Sequence, residues 1–275
     1  MQQFSARYPV WFCDVWGVMH DGVRPFAAAA DCLIRHRAAG GTVILVTNSP
    51  RSTSGVASQL NEIGVPPETY DAIVTSGEVT RALMLRHGGG RVFHLGPARD
   101  SSIFAGLDIA VTGLDEAHAV LCTGLFDDQT DSPEDYGPLL EEMRSRGLAM
   151  ICANPDRIVR KGDRLLYCAG ALAGIYGGIG GRVLMAGKPY APIYDAAIAE
   201  AARLRGADIP LHAVLAIGDG PETDIRGAAD YGIDALLVAE GVTDASAGLD
   251  AAEASVRALV PEARIVATLR HLVWT

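Results

Sequence analysis

The sequence predicts an α/β fold on a mainly parallel sheet, and three observations carry that expectation. Short apolar runs alternate with Ala- and Leu-rich segments of helical period along the chain. The runs are continuous, without alternation in polarity, as strands covered by helices on both faces require. Several of them stop at a polar residue or a Gly-containing turn, and in open parallel sheets ligands bind outside the carboxyl ends of the strands.

Taken in order, residues 10–13 form a first strand that ends at Asp14, and residues 42–46 a second that leads into Thr47-Asn48-Ser49-Pro50. Residues 72–74 form a third. Ser49 before Pro50 reads as a helix N-cap with Pro at the first helical position, and Ser132-Pro133-Glu134-Asp135 repeats that signal. Between Gly77 and Met185 the pattern continues with its own strands at 92–95, 120–122 and 149–152. Residues 169–179, rich in Gly and Ala, read equally as a close-packed segment or as a dimer surface, which leaves a homo-oligomer open. An Ala-rich helix over 190–204 is stopped by Gly206. A strand at 213–217 runs into Gly218-Asp219-Gly220-Pro221-Glu222-Thr223-Asp224, where Pro221 opens another helix, and residues 234–239 add a further strand. Two polar motifs precede the middle region and two follow it. The simplest organisation is a discontinuous core domain of residues 1–77 plus 186–275, with residues 78–185 inserted as a second α/β domain.

At 275 residues the chain is long enough for two such domains, with 49% apolar residues to fill them. A formal net charge of −10 without any Lys/Arg cluster argues against a nucleic-acid partner. No segment approaches the roughly 20 continuous apolar residues of a membrane span, so no membrane partner is expected. The first seven residues lack the apolar core of a signal peptide. Cys13, Cys32, Cys122, Cys152 and Cys168 are scattered without a C-x-x-C pair and read as buried, reduced thiols. A cytoplasmic protein is the expectation.

The strand-end residues suit phosphoryl transfer. Asp14 can attack phosphorus and form an aspartyl-phosphate, and Gly17 permits a tight backbone turn behind it. Thr47 offers a hydroxyl, and Asn48 a backbone N–H, to a phosphate oxygen at the start of the helix that Ser49 would cap. Lys188, between Gly187 and Pro189, supplies a fixed cation. Asp219 and Asp224 add two hard oxygen donors, which with Asp14 and a backbone carbonyl form a plausible Mg²⁺ site. Such an ion lets an anionic nucleophile approach a dianionic phosphate. Any one of these residues reads as well as a turn or cap; three strand-end motifs of complementary chemistry do not.

These segments resemble, in order, the four motifs of the haloacid dehalogenase (HAD) superfamily. The middle region, with Cys152-Ala153-Asn154-Pro155-Asp156, resembles the α/β cap of its class IIA branch, which includes nucleotide-monophosphate and pyridoxal-phosphate phosphatases. The resemblance implies a Rossmann-like HAD core with a parallel sheet and an inserted α/β cap domain. It implies Asp14 as nucleophile, Lys188 as catalytic and substrate-binding cation, and Thr47, Asn48 and Ser49 as phosphate-binding residues. Asp14, the backbone carbonyl of Trp16, Asp219 and Asp224 would hold Mg²⁺, and a small phosphorylated metabolite would be the substrate.

Trp16 is the departure. Phosphatases of this family usually carry a second Asp there, which protonates the leaving alkoxide and later activates water, and indole can do neither. His20 and Asp21 are the nearest titratable candidates to replace it, although a surface His and a turn Asp are the more ordinary expectation for them. The alternatives are a phosphometabolite-binding or regulatory protein impaired in catalysis and, ranked lower, a haloacid dehalogenase, since halide leaves without protonation. The loops at 122–129 and 154–156 read equally as turns or as substrate contacts.

Overall fold

In the computed structural model, residues 1–161, 164–239 and 246–275 are described. The strands are β1 Val10–Cys13, β2 Thr42–Thr47, β3 Ala72–Thr75, β4 Arg91–Leu95, β5 Ala110–Val111, β6 Ala119–Cys122, β7 Ala149–Cys152, β8 Ile158–Lys161, β9 Arg164–Tyr167, β10 Val183–Met185, β11 Val214–Gly218, β12 Asp234–Val238 and β13 Ile265–Leu269. The chain folds as two compact units. One comprises Met1–Thr47, Thr53–Val74 and Lys188–Thr275; the other comprises Asn48–Ser52 and Thr75–Gly187.

The first unit is built on a sheet of order β13-β12-β11-β1-β2-β3. Its central strand β1 pairs in parallel with β11 on one side and β2 on the other. Every residue of β1 and β2 is buried, which is why both read as unbroken apolar runs. Alternate side chains fall on opposite faces of a strand, so Trp11, Cys13, Val43, Leu45, Leu215, Ile217 and Leu236 meet in one core. Truncating a buried leucine such as Leu45 to Ala costs about 2–5 kcal/mol in cores of this kind. The helix Ala27–Ala38 buries Ala29, Ala30, Cys32, Leu33 and His36. The His36 ring lies flat on the Trp11 indole, with centroids 3.7 Å apart.

The second unit has its own five-stranded parallel sheet, of order β10-β7-β6-β4-β5, and a core on each face. Val120, Cys122, Met150 and Cys152 pack with Leu140, Met143 and Tyr176 on one side; Val92, Leu121 and Ile151 pack with Met84 on the other. Strands β8 and β9 form an antiparallel pair. All five cysteines are free and buried, and no described helix is long and apolar enough to cross a membrane.

The helix expected from Ser49-Pro50 does not form there. That helix runs Thr53–Ile63, and the Ser49 hydroxyl instead accepts from Arg51 N–H at 3.3 Å in a local turn. Ser-Pro sets a turn as readily as a helix start, and three residues of irregular backbone intervene. At Ser132 the same dipeptide does open a helical segment, with Asp135 reaching back to the Ser132 N–H at 2.8 Å. The helix Ala191–Arg205 ends at Gly206 in the left-handed conformation, φ +66°, as its sequence predicts.

Candidate active site

Because β11, β1 and β2 are neighbours in register, with Cys13 opposite both Ile217 and Leu45, their carboxyl ends bring Asp14, Thr47 and Asp219 to one edge of the first unit's sheet. Asp14 N–H donates to Ile217 O at 2.8 Å, extending the ladder by one residue. One oxygen of its carboxylate accepts the Val15 N–H at 2.7 Å. Lys188 Nζ lies 2.6 Å from Asp14 Oδ1 and 2.7 Å from Asp224 Oδ1. Asp14, Asp219 and Asp224 each offer a carboxylate oxygen, all within 4.8 Å of one another. The structure thus brings Asp14, Lys188, Asp219 and Asp224 together.

The turn after β11 shapes this cluster. Gly220 O accepts from both Asp224 N–H (2.9 Å) and Ile225 N–H (3.1 Å), a wide turn that swings Asp224 back beneath the strand end. Asp224 Oδ2 accepts from Gly220 N–H at 3.1 Å and Thr223 Oγ1 at 3.3 Å, leaving Oδ1 for Lys188. Two glycines are sterically required. A Cβ at Gly17, whose φ is +83°, would lie 2.2 Å from Asp219 Oδ2, and a Cβ at Gly218 would lie 2.2 Å from Asp224 Cγ. The role of Gly218 was not read from the sequence, although the Gly-Asp-Gly repeat carries the signal.

Three acidic side chains cluster here, and one ammonium contacts two of them, an excess of acidic over basic groups. Burial pushes the Asp14 carboxyl well above the usual carboxylate range, and the neighbouring Asp224 charge adds to that, against the pull of Lys188. For Lys188 burial acts to lower the pKa, but Asp14 and Asp224 outweigh it and hold the side chain cationic. Carboxylate oxygens at this spacing, with this excess of charge, suit a hard divalent cation.

Trp16 is half-exposed, and its indole meets the His20 ring edge-on, with centroids 5.3 Å apart. The indole is also seated against Gly22, where a Cβ would come within 2.2 Å of it. His20 is not the surface residue expected of it. It is 1% exposed, its Nδ1 accepts from Gly22 N–H at 2.9 Å, and burial lowers its pKa. A short loop folding back over its own start buries the ring. Asp21 is a turn residue, accepting from Val23 and Arg24 N–H at 2.9 and 2.7 Å.

Asn48 and Ser49 fold with the second unit. Asn48 Nδ2 donates to Asp156 Oδ1 at 3.0 Å, and a Cβ at Gly187 would lie 2.4 Å from Asn48 Oδ1. Ser49 O accepts from Gly77 N–H at 3.1 Å. No sequence signal pairs residues 108 positions apart, so the Asn48–Asp156 contact was not legible beforehand.

Comparison with known proteins identifies the family and the fold. The profile described as haloacid dehalogenase-like hydrolase matches residues 11–110, and a second, HAD-hydrolase-like profile matches residues 185–268. A crystal structure of a hydrolase of the haloacid dehalogenase-like family from Brucella suis is 47% identical, with 99% of this chain and 98% of that one covered and a TM-score of 0.86. The chain belongs to the haloacid dehalogenase-like hydrolase family. The fold is therefore the HAD-type α/β core with an inserted α/β cap domain. Two further structures share that fold at 23% identity. One is a possible sugar phosphatase of the HAD superfamily from Cytophaga hutchinsonii (TM-score 0.80; 100% and 97% of the two chains). The other is a 4-nitrophenylphosphatase from Thermotoga maritima (TM-score 0.75; 98% and 96%). No curated protein matched the chain.

Proposed function

We propose that this HAD-like hydrolase is a Mg²⁺-dependent phosphomonoesterase of the class IIA type, acting on a small phosphorylated metabolite through an aspartyl-phosphate at Asp14. The observation that carries the reading is the buried contact of Lys188 with both Asp14 and Asp224, beside Asp219. A lone structural carboxylate has no need of this excess of like charge. The phosphatases among the structures of similar fold support it, including a glycerol phosphate phosphatase from Mycobacterium tuberculosis described in complex with calcium.

In this mechanism an Asp14 carboxylate oxygen attacks phosphorus, the P–O bond to the leaving group breaks, and the phosphoryl group rests on Asp14 until water releases it. Lys188, fixed by Asp224, keeps its positive charge next to the attacking oxygen and offsets the negative charge that gathers there. The Thr47 hydroxyl and the Asn48 and Ser49 backbone would bind the phosphate oxygens. Asp14, Asp219, Asp224 and the Trp16 carbonyl would hold Mg²⁺, whose charge would reduce the repulsion between carboxylate and phosphate dianion. With Trp16 in place of a carboxylate, protonation of an alkoxide leaving group is weakened. Esters that leave as stable anions should therefore react fastest.

Trp16 also motivates a second reading, a phosphometabolite-binding or regulatory protein that no longer turns over efficiently. Purified protein with Mg²⁺ and p-nitrophenyl phosphate separates the two. The enzyme reading expects release of p-nitrophenol that stops on chelation and falls at least about 10³-fold in Asp14→Asn. Binding of inorganic phosphate without turnover would favour the second reading, and turnover indifferent to both changes would exclude the mechanism.

A further inference from the structure

The second unit's grip on the segment Asn48–Ser52 has a consequence for how phosphate is bound. Backbone N–H groups at a helix N-terminus are pre-aimed by the helix itself. The segment after Thr47 lacks that support, because its helix begins only at Thr53. Any anion-binding geometry in residues 48 and 49 must be imposed from outside.

We propose that Asp156 is the positioning residue that fixes Asn48, and with it the backbone of the phosphate-binding segment. The proposal rests on the phosphoryl-transfer reading above. An amide has a donor end and an acceptor end, and a carboxylate accepts hydrogen bonds from only one of them. Asp156 Oδ1, 3.0 Å from Asn48 Nδ2, therefore selects one orientation of the amide and turns Asn48 Oδ1 towards Gly187, where no side chain would fit. Asn48 is 9% exposed, so the contact is shielded from competing water. Asp156 is itself anchored. Its N–H donates to Asn154 Oδ1 at 3.0 Å, its carbonyl accepts from Gly170 N–H at 3.2 Å, and Gly170 lies against Pro155 O so closely that a Cβ would reach 2.0 Å. On the other side Gly77 holds the segment, its N–H on Ser49 O and its α-carbon against the carbonyls of Pro50 and Arg51. The electrostatics point the same way. A carboxylate near a phosphate-binding segment repels the anion, so its benefit lies in orientation, and a neutral acceptor of the same shape should serve as well.

The test compares wild type, Asp156→Asn and Asp156→Ala in KM and kcat for p-nitrophenyl phosphate, and in the affinity for inorganic phosphate with Mg²⁺ present. Loss of a charge-assisted hydrogen bond predicts that Asp156→Ala weakens KM and phosphate affinity roughly tenfold or more, with kcat changed far less. Asp156→Asn should stay within about threefold of wild type on the same grounds. In an Asn48→Ala background the Asp156→Ala change should add little, since its partner is gone. A merely structural role would lower thermal stability and leave KM and phosphate affinity unmoved, and that result overturns the proposal. It also falls if Asp156→Asn is as damaged as Asp156→Ala. Should wild type bind phosphate without hydrolysing any ester, the phosphatase reading fails and the phosphate affinities alone judge Asp156. Should wild type neither bind nor hydrolyse, both fall.

Discussion

At the scale of single residues, the chemistry turns on which side chains are forced together and which are left open. Lys188 is fixed by two carboxylates at 2.6 and 2.7 Å; Trp16 stands half-exposed two residues beyond the proposed nucleophile, braced by His20 and Gly22. Replacing Trp16 by Asp puts back a group able to exchange protons with a leaving oxygen. General acid–base help is worth roughly 10²–10⁴-fold, so Trp16→Asp should raise hydrolysis of alkyl phosphates within that range and p-nitrophenyl phosphate hydrolysis much less. A kinetic comparison of the two ester types in both proteins measures this. An equal effect on both would show that protonation of the leaving group is not what wild type lacks.

At the scale of elements, the strands were legible because burial on both faces demands an unbroken apolar run. Val10–Cys13 and Ala149–Cys152 form as read, and Asp14 and Asp219 follow their strands directly. What escaped was short, mixed in polarity or dependent on remote partners. β5 is only two residues long, β8 includes Arg160 and Lys161, and β13 has one buried residue. The start of the helix after β2 was misplaced because Ser49-Pro50 carries a local signal, while the second unit's contacts decide its conformation. The same helix-on-sheet packing yields a pH prediction. Burial on Trp11 pushes His36 down from its usual value near 6.5 to about 4. The folded state then resists a proton that the unfolded chain accepts, so the neutral ring contributes stability above pH 6.5 that is lost progressively as pH falls towards 4. The difference corresponds to about 3 kcal/mol. Urea denaturation at pH 7 and pH 4 should show this loss in wild type and much less of it in His36→Phe. Equal losses would mean that His36 is not the group responsible.

At the scale of the whole molecule, the sequence places the chemistry on either side of a long insertion, and the structure forms two units, each with its own parallel sheet and core. The candidate catalytic cluster of Asp14, Lys188, Asp219 and Asp224 belongs to the first, and the segment beginning at Asn48 folds with the second. Membership of the haloacid dehalogenase-like hydrolase family is secured by the match over nearly the full length of a relative 47% identical. The proposed reaction depends first on the covalent role of Asp14. It is tested most directly by mixing the protein with Mg²⁺ and p-nitrophenyl phosphate, quenching in acid and locating any phosphoryl group on its peptides by mass spectrometry. A phosphoryl adduct is expected on the peptide at Asp14, accumulating because Trp16 cannot activate water, and absent in Asp14→Asn. Steady turnover with that peptide unmodified, or with the adduct on another residue, would contradict it.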